Sequence, residues 1–140
     1  MWNRFFLSVY LVIAFGCSQG SIDRCAVSGK VSLNNQPVAN GQIRFLPIGS
    51  TQGPSWTVNI KDGQYSTEGT KGVPAGELRV EIKGFRVPSW YKGAVDPEGE
   101  TPLEQFVPAE FNVNSNLKCN LPHGSKNVEK NWDLTVNNPA

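Results

Sequence analysis

From Ala26 onward the chain alternates apolar and polar residues in short bursts. AVSGKVSL carries Val27, Val31 and Leu33 on one parity, QIRFLP carries Ile43 and Phe45, and WTVNI carries Trp56, Val58 and Ile60. LRVEIKG sets Leu78, Val80 and Ile82 against Arg79, Glu81 and Lys83. NLKCNLP aligns Leu117, Cys119 and Leu121, and WDLTV closes with Trp132, Leu134 and Val136. Residues of one parity share a face of a strand, so each burst predicts a strand with one buried side. The intervening NNQPVANG, residues 49–54, VPAGE and HGSKN read as turns or loops, and Asp62-Gly63 before QYST is a hairpin signal. No helical period follows the amino-terminal run. The expectation is an all-β domain, a single antiparallel β-sandwich of about seven strands.

Two stretches break the rhythm. Residues 85–111 contain Pro88, Pro97, Pro102 and Pro108 and alternate poorly. Loops longer than about 15 residues are uncommon in compact domains and often carry function. The other stretch is the start of the chain, where Arg4 precedes an uncharged apolar run from Phe5 to Phe15. A membrane-spanning helix needs roughly 20 such residues, so this run is about half the required length. A short basic head, an apolar middle and a small residue are the proportions of a signal peptide. The run ends AFGC, which resembles the lipobox of bacterial lipoproteins. Gly16 and Cys17 match that pattern, whereas Ala14 and Phe15 depart from its preferred Leu and small residue.

The lipobox resemblance implies cleavage before Cys17 and acyl chains, such as palmitate, on that residue. Each buried methylene adds about 0.8 kcal/mol to membrane attachment. The competing readings are plain secretion and an uncleaved anchor. Ser18, rather than Asp, follows the cysteine, which in the pattern known from proteobacteria implies the outer membrane. The expected organisation is a signal peptide over 1–16, a lipidated tether over 17–24 and the β-domain over 25–137.

The three cysteines change the picture further, because an odd number in an exported protein needs explaining. Lipidation of Cys17 leaves Cys25 and Cys119, each on the inward parity of its strand. They form either a disulfide, worth about 3–5 kcal/mol in the chain-entropy picture, or two separate buried thiols. Metal binding is not expected: no C-x-x-C spacing exists and His123 is the single histidine.

Composition narrows the class of function. Apolar residues at 39% and charged residues at 18% fit a globular chain. With Arg4 in the leader, twelve basic and twelve acidic residues remain, which gives no basic excess for nucleic acid. No nucleophile-elbow, zinc-protease, phosphate-loop or dinucleotide motif is present, so neither an enzyme nor a cofactor is expected. His123 reads as a solvated turn residue. Within the long segment, DPEGE sets Asp96, Glu98 and Glu100 at alternating positions, as a solvated acidic loop or weak Ca²⁺ ligands. VPSWYKG places Trp90 and Tyr91 among polar residues. Such a pair either caps one end of the fold or is presented to a sugar or protein partner.

The order of motifs carries a second resemblance. Gly29, Val31, Pro37-Val38, Ile43, Phe45 and Pro47 are followed by Asp62-Gly63 and Tyr65, and then by Pro74 and Gly76. Pro108, Phe111-Asn112 and Asp133-Leu134 complete the set. Over residues 26–136 this resembles small bacterial lipoproteins with a carboxypeptidase-regulatory-like domain, related to transthyretin (prealbumin) and Cna-B-type sandwiches. The resemblance implies a non-catalytic structural or protein-interaction module at the cell envelope. Its partners would be the membrane, through the lipid, and an envelope protein or polysaccharide. The alternative is a periplasmic or surface ligand- or glycan-binding module built on Trp90 and Tyr91.

Overall fold

The computed structural model describes residues 20–68, 71–96 and 98–137. Cys17 and the apolar run before it lie outside these residues. The described chain is all-β, with no α-helix and one short 3-10 turn, Ala109–Phe111.

Among the described residues, eleven strands join into one curled sheet. They are β1 (Arg24–Leu33), β2 (Gln36–Pro37), β3 (Asn40–Pro47), β4 (Trp56–Lys61), β5 (Gln64–Ser66), β6 (Val73–Pro74), β7 (Gly76–Arg86), β8 (Glu104–Gln105), β9 (Lys118–Leu121), β10 (Asn127–Glu129) and β11 (Trp132–Leu134). One arm is built on β7, which pairs with β3, β8 and β9, while β3 pairs in turn with β4. The other arm is built on β1, which pairs with β2, β5, β6, β10 and β11. The arms meet at the β4–β5 hairpin through a single pair, Lys61↔Gln64. Asp62 (φ 51°) and Gly63 (φ 73°) both take positive φ there, the backbone of a tight two-residue hairpin turn.

The long alternating bursts become strands with the expected faces. Val27 and Val31 from one arm share a core with Ile43, Phe45, Leu78, Val80 and Ile82 from the other. Phe45 is fully buried and its ring lies 6.0 Å from that of Tyr65 across the interior. The Tyr65 hydroxyl donates to the Lys130 carbonyl (2.7 Å) and accepts from Trp132 Nε1 (3.3 Å), so its polar end is satisfied inside the fold.

Four stretches expected as turns or loops contain strands. Asn34 (φ 49°) and Asn35 (φ 62°) turn the chain back so that β2 pairs with the end of β1. Val73-Pro74 pairs with Arg24-Cys25. Glu104-Gln105 returns to pair with the end of β7. Asn127–Glu129 continues past the HGSKN turn as β10.

Strand direction also corrects the expectation of a purely antiparallel arrangement. β10 and β11 run parallel to β1, in the registers Val27↔Val128 and Val31↔Trp132. The cause is where β9 ends. β9 is antiparallel to β7 and finishes opposite Gly76, beside the start of β1. Ala26 N–H donates to the Lys126 carbonyl (2.9 Å), which sets the chain down next to that start and leaves it only β1's own direction. Between β10 and β11 the Lys130 carbonyl crowds Gly29, where an added Cβ would lie 1.8 Å from it. Glycine is required at this crossing.

Candidate functional site

The segment after β7 is an excursion with a pinned base. β8 folds back on β7, and Phe106 N–H donates to the Gly84 carbonyl (3.0 Å). Arg86 Nε meets Glu104 Oε1 at 2.7 Å, and the Arg86 guanidinium sits 5.1 Å from the centre of the Phe106 ring. Val107 and Asn112 are buried beneath, with Asn112 Nδ2 donating to the Val107 carbonyl (2.8 Å). The two ends of the expected loop, Phe85-Arg86 and Glu104-Gln105, are therefore part of the sheet's edge, and the free portion begins after Arg86.

Trp90 and Tyr91 stand on that free portion. Pro88 is buried and its carbonyl accepts from Tyr91 N–H (3.0 Å), making a tight turn at the base of the pair. The Tyr91 hydroxyl donates to the Ala94 carbonyl (3.3 Å), and Lys92 Nζ donates to the Ser89 carbonyl (3.0 Å). The two rings meet edge to face at 86°, with centroids 6.2 Å apart. Trp90 is 69% exposed, so it does not cap the core. Val95 and Leu103 on the same excursion are exposed as well.

The acidic stretch beside them is occupied with its own backbone. Asp96 Oδ1 accepts from Glu98 N–H (2.9 Å), and Asp96 N–H donates to Thr101 Oγ1 (2.9 Å). Among the described residues, no three His, Cys, Asp or Glu side chains gather where they could hold a metal ion.

Cys25 and Cys119 do not form the expected disulfide; both are free thiols in this structure. Parity correctly points them inward, but they sit on different arms, Cys25 opposite Val73 on β6 and Cys119 opposite Leu78 on β7. Cys25 Sγ is turned toward the Val73 carbonyl, at 4.0 Å. A bridge needs Cα atoms within about 7 Å and converging Cβ vectors, and strand parity specifies neither. Burial pushes the Cys119 thiol up to about 11 and raises Cys25 as well, so both are held protonated and unreactive at neutral pH.

His123 has a partner that local sequence could not indicate. Its Nδ1 lies 3.2 Å from Asp23 Oδ2, across 100 positions of sequence, and Gly124 N–H donates to the same oxygen at 2.8 Å. The Gly124 amide is the main cause, with His123 beside it, of an Asp23 carboxyl held below its ordinary range. The contact fastens the start of the described chain to the β9–β10 link.

No protein-family model and no curated protein matches the chain. Among solved structures, a DUF3823 family protein from Parabacteroides merdae ATCC 43184 is similar to 82% of this chain and 47% of its own, at 17% identity and a TM-score of 0.40. This chain thus spans about half the length of that protein.

The position of the aromatic pair follows from the direction of β7. The Asp23 carbonyl accepts from Ala75 N–H (2.9 Å), so the chain comes into the sheet beside the start of β7. β7 then runs eleven residues to Arg86. At about 3.3 Å per residue this is a span of about 33 Å. Trp90 and Tyr91 follow at its far end. The described residues thus have two poles, with Asp23 and His123 at one and the aromatic excursion at the other. No helix among them is long and apolar enough to cross a membrane.

Proposed function

We propose that the protein is an exported lipoprotein of the cell envelope, attached through Cys17, whose β-domain is a non-catalytic binding module of the carboxypeptidase-regulatory-like sandwich type. The observation that carries this reading is the separation of the two poles. The lipidated tether over 17–24 fixes the Asp23 pole to a lipid surface, and the length of β7, about 33 Å, separates that pole from the excursion that carries the exposed Trp90. The two inward faces closing on one core support the sandwich reading. Ser18 favours the outer membrane.

The anchor is tested by labelling cells with an alkyne fatty acid and separating the membranes on a density gradient. Wild type carries label in the outer-membrane fraction, and Cys17→Ser carries none. A labelled Cys17→Ser protein would overturn the anchor.

A second reading concerns the contact itself, and the exposed Trp90, set edge to face against Tyr91, favours it. In that reading the excursion binds envelope polysaccharide by stacking. Trp90→Ala with Tyr91→Ala then abolishes retention on isolated envelope polysaccharide while thermal stability is kept. Absence of retention by the wild type would reject this reading and leave a protein partner.

A further inference from the structure

The curl of the sheet leaves one strand edge open. β4 pairs with β3 along its whole length, from Asn40↔Lys61 to Phe45↔Trp56, but with β5 only at Lys61↔Gln64. Beyond that pair β5 turns away to follow β1. In an antiparallel strand the N–H and C=O of one residue point the same way, and successive residues alternate. Asp62 N–H donates to the Ala39 carbonyl (2.7 Å), which shows that the even-numbered amides of this strand face β3. The main-chain groups of Thr57 and Asn59 therefore face the other side, where β4 has no ladder among the described residues. An open groove of about 720 Å³ flanks this edge, with Asn59 and Lys61 on the β4 side and Lys30, Glu68 and Glu129 on the β1 side.

We infer that this groove takes one extended peptide strand, which pairs with Thr57 and Asn59 and extends the β3–β4 arm. Three features specify the occupant. Alternating main-chain donors and acceptors are complemented by another backbone, the mode of strand addition. The space fits a short segment: at a strand spacing of ~4.8 Å, a sheet thickness of ~10 Å and a rise of ~3.4 Å, the volume corresponds to roughly four to five residues. On the far side the groove is bounded by β5, which follows β1, so the occupant lies between β4 and β5.

Charge gives the strand a polarity. Lys30 and Lys61 lie at the hairpin end, since Lys30 pairs with Gln64 and Gln64 with Lys61. Glu129 pairs with Ser28, as does Ser66, and Glu68 follows Ser66, so both acids lie toward the other end. The groove thus complements a segment with an acidic residue near the hairpin and a basic residue four or so positions away. This surface is separate from the Trp90 excursion, and neither depends on the other.

The test uses the full-length protein in mild detergent and a fluorescent ten-residue peptide of alternating Thr and Gln. The peptide carries Glu at one end of its central five residues and Lys at the other. The expected result is saturable binding by anisotropy at low salt, with the amides of Thr57 and Asn59 exchanging at least tenfold more slowly when peptide is bound. The same peptide with every amide N-methylated loses at least tenfold in affinity. Lys30→Glu with Lys61→Glu, both exposed and so tolerated by the fold, weakens binding of the charged peptide three- to tenfold and leaves a Gln-substituted peptide unaffected. Several outcomes would overturn the proposal: no binding up to millimolar peptide, equal binding of the N-methylated peptide, or protection of Thr57 and Asn59 that appears without peptide as protein concentration rises. The last would assign the edge to a second copy.

Discussion

Gly29 shows how one missing side chain organises the β1 arm. Its bare Cα admits the Lys130 carbonyl, which in turn receives the Tyr65 hydroxyl. Gly29→Ala is expected to push residues 130–131 outward, break the Tyr65 bond and cost about 1–3 kcal/mol in urea unfolding, as overpacking does elsewhere. An unchanged midpoint would show that the crossing relaxes freely. A second residue-scale expectation concerns alkaline pH. Cys119 ionises near 9.0 when unfolded and about 11 when folded, and burial raises Cys25 and Tyr65 in the same direction. The unfolded chain therefore releases protons first, and stability present below pH ~9 falls as pH rises toward ~11. Cys119→Ser should flatten part of that slope in a pH series of thermal melts. Asp23 acts at the other extreme. Its depressed carboxyl adds stability above its unfolded value of 3.8, which is lost as pH falls through the folded value. The inward direction of the cysteines was legible from parity. Their failure to pair was not, because alternation says which face a residue takes and nothing of what lies across the core.

At the scale of elements, the sequence marks strands that earn their place by burial. β1, β3 and β7 each bury several alternating side chains, β4 buries Ile60 and half-buries Trp56 and Val58, and that alternation is written locally. β2, β6 and β8 are two residues long: β2 exists because the Asn34-Asn35 turn folds it onto the end of β1, and β6 and β8 because a distant backbone offers them partners. No period can announce them. Strand direction is equally silent in an alternating pattern, so the parallel β10 and β11 were invisible. The excursion was half legible: its prolines and aromatics marked an interruption, but the return of β8 depended on Arg86, Glu104 and Phe106 meeting. Arg86 and Glu104 form a solvent-exposed pair, worth about 0.2–1 kcal/mol. Arg86→Ala should therefore lower global stability by less than ~1 kcal/mol. Its larger effect is local: the Phe106 amide, bonded to Gly84, should exchange several-fold faster. Unchanged exchange at Phe106 would mean that the ring alone clamps the base.

At the scale of the whole molecule, the two poles organise every functional expectation. One pole is held by Asp23, His123 and Gly124, side chains and backbone that meet only after folding. The aromatic pole is reached along β7. Nothing in the local sequence of VPSWYKG reveals that it stands at the end opposite Asp23 and His123, because that relation is set by the registers of β1, β6 and β7 together. Trp90→Ala alone should leave stability within about 0.5 kcal/mol of wild type, as for other exposed substitutions. A larger loss in the thermal midpoint would return the residue to a structural role.

The parallel seating of β10 and β11 beside β1 has a consequence for how the chain is made. Lys30 N–H is bonded by Asn131 Oδ1, and Ser32 Oγ donates to Asp133 Oδ1, each across 101 positions. β1 therefore receives its neighbours β10 and β11 long after it is made. Contacts so distant in sequence slow folding toward the millisecond-to-second range of β-rich domains. A chain stopped after residue 126 should remain unfolded by circular dichroism, since β1 would keep only short partners on one flank. If the chain is exported as proposed, this delay keeps it translocation-competent until residues 127–134 have crossed, and it folds on the far side.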